Sequence, residues 1–142
     1  MNPFNFSDPF MDIPPAPEPT FEQRKATALS SAKKSFSDAR DNARVTVQIA
    51  SGEITINADD AAAANVNGLL LTLPDDGAVP FRNAANGFQD ASRDDLAAMR
   101  LAIAQRQQEL LREKWRLVEA INSAATTEDL NAIDIGGWFG RA

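Results

Sequence analysis

The stretch Ser92-Arg93-Asp94-Asp95-Leu96-Ala97-Ala98-Met99-Arg100-Leu101-Ala102-Ile103, which continues without proline or glycine to Asn122, decides the fold. Ser92 is a helix-capping residue. Asp94 and Asp95 place negative charge on a first turn whose backbone N–H groups lack helical partners. Leu96, Met99, Ile103, Leu110, Leu111, Trp115, Val118 and Ile121 recur at helical spacing, which predicts one long helix with that stripe turned inward. Gln107 falls on the stripe, where a lone polar residue either sets register in a helix seam or sits at the edge of the face. Trp115 is expected in the core, where the long helix meets the last helix and the sheet, with Lys114 pointing to solvent. The competing reading makes Trp115 an interface anchor.

Upstream, two hairpins are expected. Val45, Val47 and Ile49 alternate, Ser51-Gly52 supplies a turn, and Ile54 and Ile56 alternate again. A second pair, Val79-Pro80-Phe81-Arg82 and Gly87-Phe88-Gln89, is joined by Asn83-Ala84-Ala85-Asn86. Pro80 lacks an N–H, which puts its strand at an edge. Between the hairpins Asn57-Ala58-Asp59 opens a short helix to Leu71, and Leu73-Pro74-Asp75-Asp76-Gly77 breaks the chain. Earlier still, Thr20 and Gln23 stand at capping-box spacing and start a helix expected to reach about Asn42. Its apolar stripe (Phe21, Ala28, Ala32, Phe36, Ala39) is thin, so it should pack closely on another helix, in this chain or a second one.

Both ends carry aromatic side chains outside these elements. Residues 1–19 hold Pro3, Pro9, Pro14, Pro15, Pro17 and Pro19, which exclude a helix or an inner strand and predict an extended peptide. The same stretch carries Phe4, Phe6, Phe10 and Met11, with Asn2-Pro3-Phe4 echoed by Asp8-Pro9-Phe10. Stiff turns that each present an aromatic anchor suit docking into pockets of another protein. At the far end Thr126-Thr127-Glu128-Asp129 caps a short helix through Ile133, and Gly136-Gly137-Trp138-Phe139-Gly140 follows. Trp138 and Phe139 read as a second docking peptide, weighed against a fold-back onto their own domain.

The organisation expected is therefore an extended docking peptide (1–19), an N-terminal helix (20–43), a small α+β domain (44–135) and an aromatic C-terminal tail (136–142). The fold class is α+β: a small antiparallel sheet of two hairpins packed on the long C-terminal helix, with the N-terminal helix separate.

Composition narrows the chemistry. With 142 residues and 44% hydrophobic, the chain can bury one core but not two full domains. Twenty Asp and Glu against 14 Lys and Arg give a net charge of -6, so no nucleic-acid partner is expected, since phosphate needs a basic face. The charge is segregated: residues 20–44 are basic and 45–99 acidic, which suggests matching within the chain or between subunits. The chain has no Cys, which excludes disulfides and thiolate metal sites, and no His, the usual zinc ligand and commonest general base. Asp59-Asp60 and Asp75-Asp76 are followed by no regular calcium loop, and the glycines form no phosphate-binding loop. No cofactor, metal or catalytic residue is expected. The apolar run at Gly68-Leu69-Leu70-Leu71 is far too short to span a membrane, and Met1-Asn2-Pro3-Phe4 does not open a secretory signal.

Several motifs follow one another along the chain: Ile54-Thr55-Ile56-Asn57-Ala58-Asp59, Asn65-Val66-Asn67-Gly68-Leu69-Leu70, Val79-Pro80-Phe81-Arg82-Asn83, Leu96-Ala97-Ala98-Met99 and Lys114-Trp115. Then come Ile121, Ala124-Ala125-Thr126-Thr127-Glu128-Asp129-Leu130 and Ile133. Together they resemble a domain family of unknown function common in tailed-phage proteins, often encoded at or near tail-fibre and tail-fibre-assembly genes. The resemblance covers about residues 45–134 and leaves out the first 44 residues and the Gly-Trp-Phe end. The family usually has Trp where Phe81 stands, and it brings no catalytic residues. It implies a component or accessory of a phage tail; the first expectation is a structural component of a tailed-phage virion, an adaptor or fibre-linked protein at the baseplate or tail tip. Such a protein is made in the host cytoplasm and acts by docking on other tail, baseplate or fibre proteins. A homo-oligomer is expected, a trimer before a dimer. The alternative is a tail-fibre assembly chaperone absent from the mature virion. A third reading is an enzyme that runs on carboxylates alone.

Overall fold

The computed structural model describes residues 15–141. Residues 15–20 are exposed and belong to no helix or strand, as their prolines require. Helix α1 (Phe21–Asp41) begins with the expected box: the Gln23 N–H donates to Thr20 Oγ1 at 3.1 Å, and the Thr20 N–H donates to Gln23 Oε1 at 2.8 Å. Strands β1 (Arg44–Ile49) and β2 (Gly52–Asn57) pair antiparallel, with Val47 opposite Ile54 and Val45 opposite Ile56. Alternation sorts the faces: Val47, Ile49, Ile54 and Ile56 are buried, while Thr46 and Thr55 share a hydroxyl hydrogen bond of 2.8 Å on the outer face. Gly52 opens β2 at φ 122°, a conformation that favours glycine.

Helix α2 (Asp60–Thr72) starts where Asp59 Oδ1 accepts the Ala62 N–H at 2.9 Å, and it buries Val66 and Leu70. Its C-terminal carbonyls are held by one guanidinium, since Arg93 donates to Leu70 O at 2.6 Å and to Leu73 O at 3.0 Å. Strands β3 (Ala78–Arg82) and β4 (Phe88–Ser92) form the second hairpin, closed by Asn83, whose side-chain oxygen accepts the N–H groups of Ala85 and Gly87. The hairpins are two separate two-stranded sheets rather than one. The loop of the second lies against β2, where Ala84 donates to Thr55 O at 2.8 Å.

Helix α3 (Arg93–Ser123) is 31 residues long, about 46 Å at 1.5 Å per residue, and both hairpins, α1 and α2 pack on it. Its buried side chains are Leu96, Met99, Ile103, Leu110, Leu117 and Ile121, with Asp95 at the first turn. This corrects the expected stripe. Leu117 is fully buried, whereas Leu111 and Trp115 are 43% and 59% exposed. Ile103, Leu110 and Leu117 recur every seven residues, a repeat that holds one face toward a neighbour, and Trp115 lies well round the helix from it. Gln107 stands at the edge of that face, donating to Ala58 O at 3.2 Å and to Asp60 Oδ1 at 3.3 Å.

Helix α4 (Thr127–Asn131) is capped by Thr126, which accepts the Asp129 N–H at 3.1 Å. A 3₁₀ turn, Trp138–Arg141, ends the described chain. Helix α1 is not a separate element. It buries Ala32 and Phe36 against α3 and the C-terminal turn, so its thin stripe finds its partner within the chain.

Candidate docking surfaces

The aromatic residues singled out in the sequence fall into two groups. Phe4, Phe6, Phe10 and Met11 lie outside the described residues. Trp138 and Phe139 are not a free peptide, and that expectation is corrected. The Trp138 indole N–H donates to Glu113 O on α3 at 3.0 Å, and Phe139 is buried, its ring 5.9 Å from that of Phe36. Asp134 shapes the approach: its carboxylate accepts the Gly137 N–H at 3.0 Å, and a Cβ on Gly137 would run into that carboxylate. The glycine therefore serves a close turn rather than a flexible tail. Ile133 and Ile135, packed against the core just before this turn, are the sequence signal for the fold-back.

The Lys114 ammonium does not point away to solvent. It lies 4.8 Å from the centre of the Phe36 ring and 5.4 Å from that of Trp115, a cation over two aromatic faces. Phe36 is thus covered by Phe139 and by Lys114, while Trp115 stays open. Beside Lys114 a groove of about 260 Å³ runs between α1 and α3, lined by Phe36, Arg40, Ala104, Gln107, Gln108 and Leu111. Arg40 pairs with Asp60 at 2.8 Å across to α2. A second groove, about 420 Å³, lies between α1 and the segment around α4, bordered by Pro19, Arg24, Ala28, Leu130, Ile133 and Ile135. Pro19 places the end of the Pro/Phe-rich peptide at its rim.

Large apolar side chains left open include Leu101 and Trp115 on α3, Leu71 at the end of α2 and Phe88 at the start of β4. Three residues of the acidic pairs have partners within the chain. Asp59 caps α2, Asp60 meets Arg40, and Asp75 lies 3.6 Å from Arg93. Among the described residues no cluster of three acidic side chains could hold a metal ion, and no helix is long and apolar enough to cross a membrane.

The chain belongs to the family described as a domain of unknown function (DUF4376), whose model matches residues 25–135. The match takes in most of α1, which the motif resemblance had left outside and which the packing of Ala32 and Phe36 ties to the rest. No curated protein and no solved structure matches the chain.

Proposed function

We propose that this protein is a structural component of a tailed-phage virion, an adaptor or fibre-linked subunit at the baseplate or tail tip that works by protein–protein docking. The observation that carries the docking part is the open row of α3, with Leu101, Leu111 and Trp115 exposed on a helix whose other face is buried along its length. The order of motifs from Ile54 to Ile133 supports the phage assignment. The reading assigns no catalysis and no cofactor: the described carboxylates with assigned partners cap helices, meet arginines or tie a turn to a helix. The protein is made in the host cytoplasm and reaches the virion as an oligomer bound to tail, baseplate or fibre proteins.

Mass spectrometry of purified particles tests this. Stoichiometric recovery of the protein in the tail fraction is the expected result. Recovery only with unassembled fibre protein, and none in particles, overturns it in favour of a fibre-assembly chaperone.

A further inference from the structure

Helix α3 carries a second row of side chains besides its buried stripe. Ala97, Leu101, Ala104, Gln108, Leu111 and Trp115 follow one another at alternating steps of four and three residues, and all six are exposed. An average step of 3.5 is the repeat that keeps one helix facing another in a coiled coil. At 100° per residue the row lies about 130° around the helix from Leu96, Ile103, Leu110 and Leu117. It therefore faces away from the hairpins, while Ala104, Gln108 and Leu111 also line the groove beside Phe36 and Arg40 of α1.

The charges beside this row are self-complementary in one orientation. With Leu101, Gln108 and Trp115 in the first core position of the heptad, Arg100, Gln107 and Lys114 flank one side, and Gln105, Arg112 and Glu119 flank the other. In a parallel pair each residue of the first set meets, on the second copy, the residue five places further on. Lys114 then meets Glu119, Arg100 meets Gln105, Gln107 meets Arg112, and no like charges face each other. An antiparallel pair centred on the row brings Arg100 against Lys114. Gln108 puts one polar residue among apolar neighbours, a device that fixes register.

We propose that this row is the seam through which copies of this chain assemble, α3 against α3, parallel and in register. The proposal deepens the docking reading above and rests on its self-association, but not on its placement in a virion.

The full chain, purified and measured by light scattering at micromolar concentration, should have a mass that is a multiple of 15.3 kDa. Leu101→Glu and Trp115→Glu should each return it to the single-chain mass, with melting curves close to that of the parent diluted to a single chain, because both side chains are exposed. The chain has no cysteine, so single-cysteine variants report orientation cleanly. Under mild oxidation Ala97→Cys and Gln108→Cys should each give a covalent dimer, while Arg116→Cys, on another face, should not. Glu119→Lys should weaken assembly, and adding Lys114→Glu should restore it. An oligomer that survives both glutamate variants overturns the seam but leaves self-association standing. A parent protein of single-chain mass overturns both. Cross-linking through Gln108→Cys without Ala97→Cys overturns the parallel arrangement. None of these readouts depends on recovery in particles, so failure of the virion assignment remains a separate result.

Discussion

Asp95 and Ala50 are 45 residues apart in the chain, and the Asp95 carboxylate accepts the Ala50 backbone N–H at 3.1 Å. Its other oxygen accepts the Ser92 N–H at 3.0 Å, while Ser92 Oγ accepts the Asp95 N–H at 3.2 Å. One side chain thus closes the capping box of α3 and pins the turn of the first hairpin to it. Burial pushes the Asp95 carboxyl up, but the N–H groups of Ser92 and Ala50 and the Ser92 hydroxyl favour the charged form and leave it below its ordinary value.

Asp95→Asn, which removes the charge and keeps the shape, is expected to cost about 1–2 kcal/mol of folding stability at neutral pH. Urea denaturation should show a lower midpoint with an unchanged slope. The pH dependence has a definite sign. The folded value is lowered, so the contribution is complete above the unfolded value of about 3.9 and is lost as pH falls through the folded value. Denaturation curves from neutral pH down through the carboxylate range should therefore show the variant losing less stability than the parent. Equal losses would remove Asp95 from the account of acid sensitivity.

The C-terminal turn should stabilise the domain rather than a partner complex. Phe139→Ala empties a buried site against Phe36 and is expected to cost about 3 kcal/mol. Trp138→Phe keeps most of the packing and loses the hydrogen bond to Glu113 O, about 1 kcal/mol. Thermal melts of the two variants should rank in that order. Unchanged melts with lost partner binding would return both residues to the role of a docking peptide.

The elements were legible where one physical signal decided them. Thr20 with Gln23 and Ser92 with its acidic first turn marked helix starts, and the Val47/Ile49 and Ile54/Ile56 alternation marked a half-buried hairpin. The long helix misled because it carries two apolar rows. A single-stripe reading merged Leu111 and Trp115 from the outer row with Leu110 and Ile121 from the inner one, and passed over Leu117. Nothing local tells which row meets the hairpins, since that depends on contacts far along the chain. The C-terminus misled for a different reason. Two adjacent glycines suggest freedom, yet Gly137 is small because Asp134 crowds it.

The aromatic anchors at the N-terminus are expected to matter for binding and not for folding. Changing Phe4 and Phe10 together to Ala should release the protein from tail particles, because each fully buried Phe contributes about 1.5–3 kcal/mol before ordering costs. The melting temperature of the isolated protein should stay within error of the parent. Incorporation at parental levels would count against a docking peptide at residues 1–19.

Leu117 and Trp115 are two residues apart, and replacing each by Ala separates the inner row of α3 from the outer one. Leu117 is completely buried and meets the core, so Leu117→Ala should lose about 2–5 kcal/mol through transfer and cavity terms, a large share of the stability of a small domain. Trp115 is the larger side chain but is 59% exposed, with the Lys114 ammonium 5.4 Å from its ring centre. Trp115→Ala should therefore change folding stability by less than about 1 kcal/mol when the chain is dilute and monomeric. The same change should weaken any complex that uses the outer row, where an aromatic anchor in a desolvated contact carries much of the binding energy. Urea midpoints at low protein concentration, read beside the oligomer mass at high concentration, separate the two effects. Destabilisation of the dilute Trp115→Ala variant comparable to that of Leu117→Ala would put Trp115 back in the core.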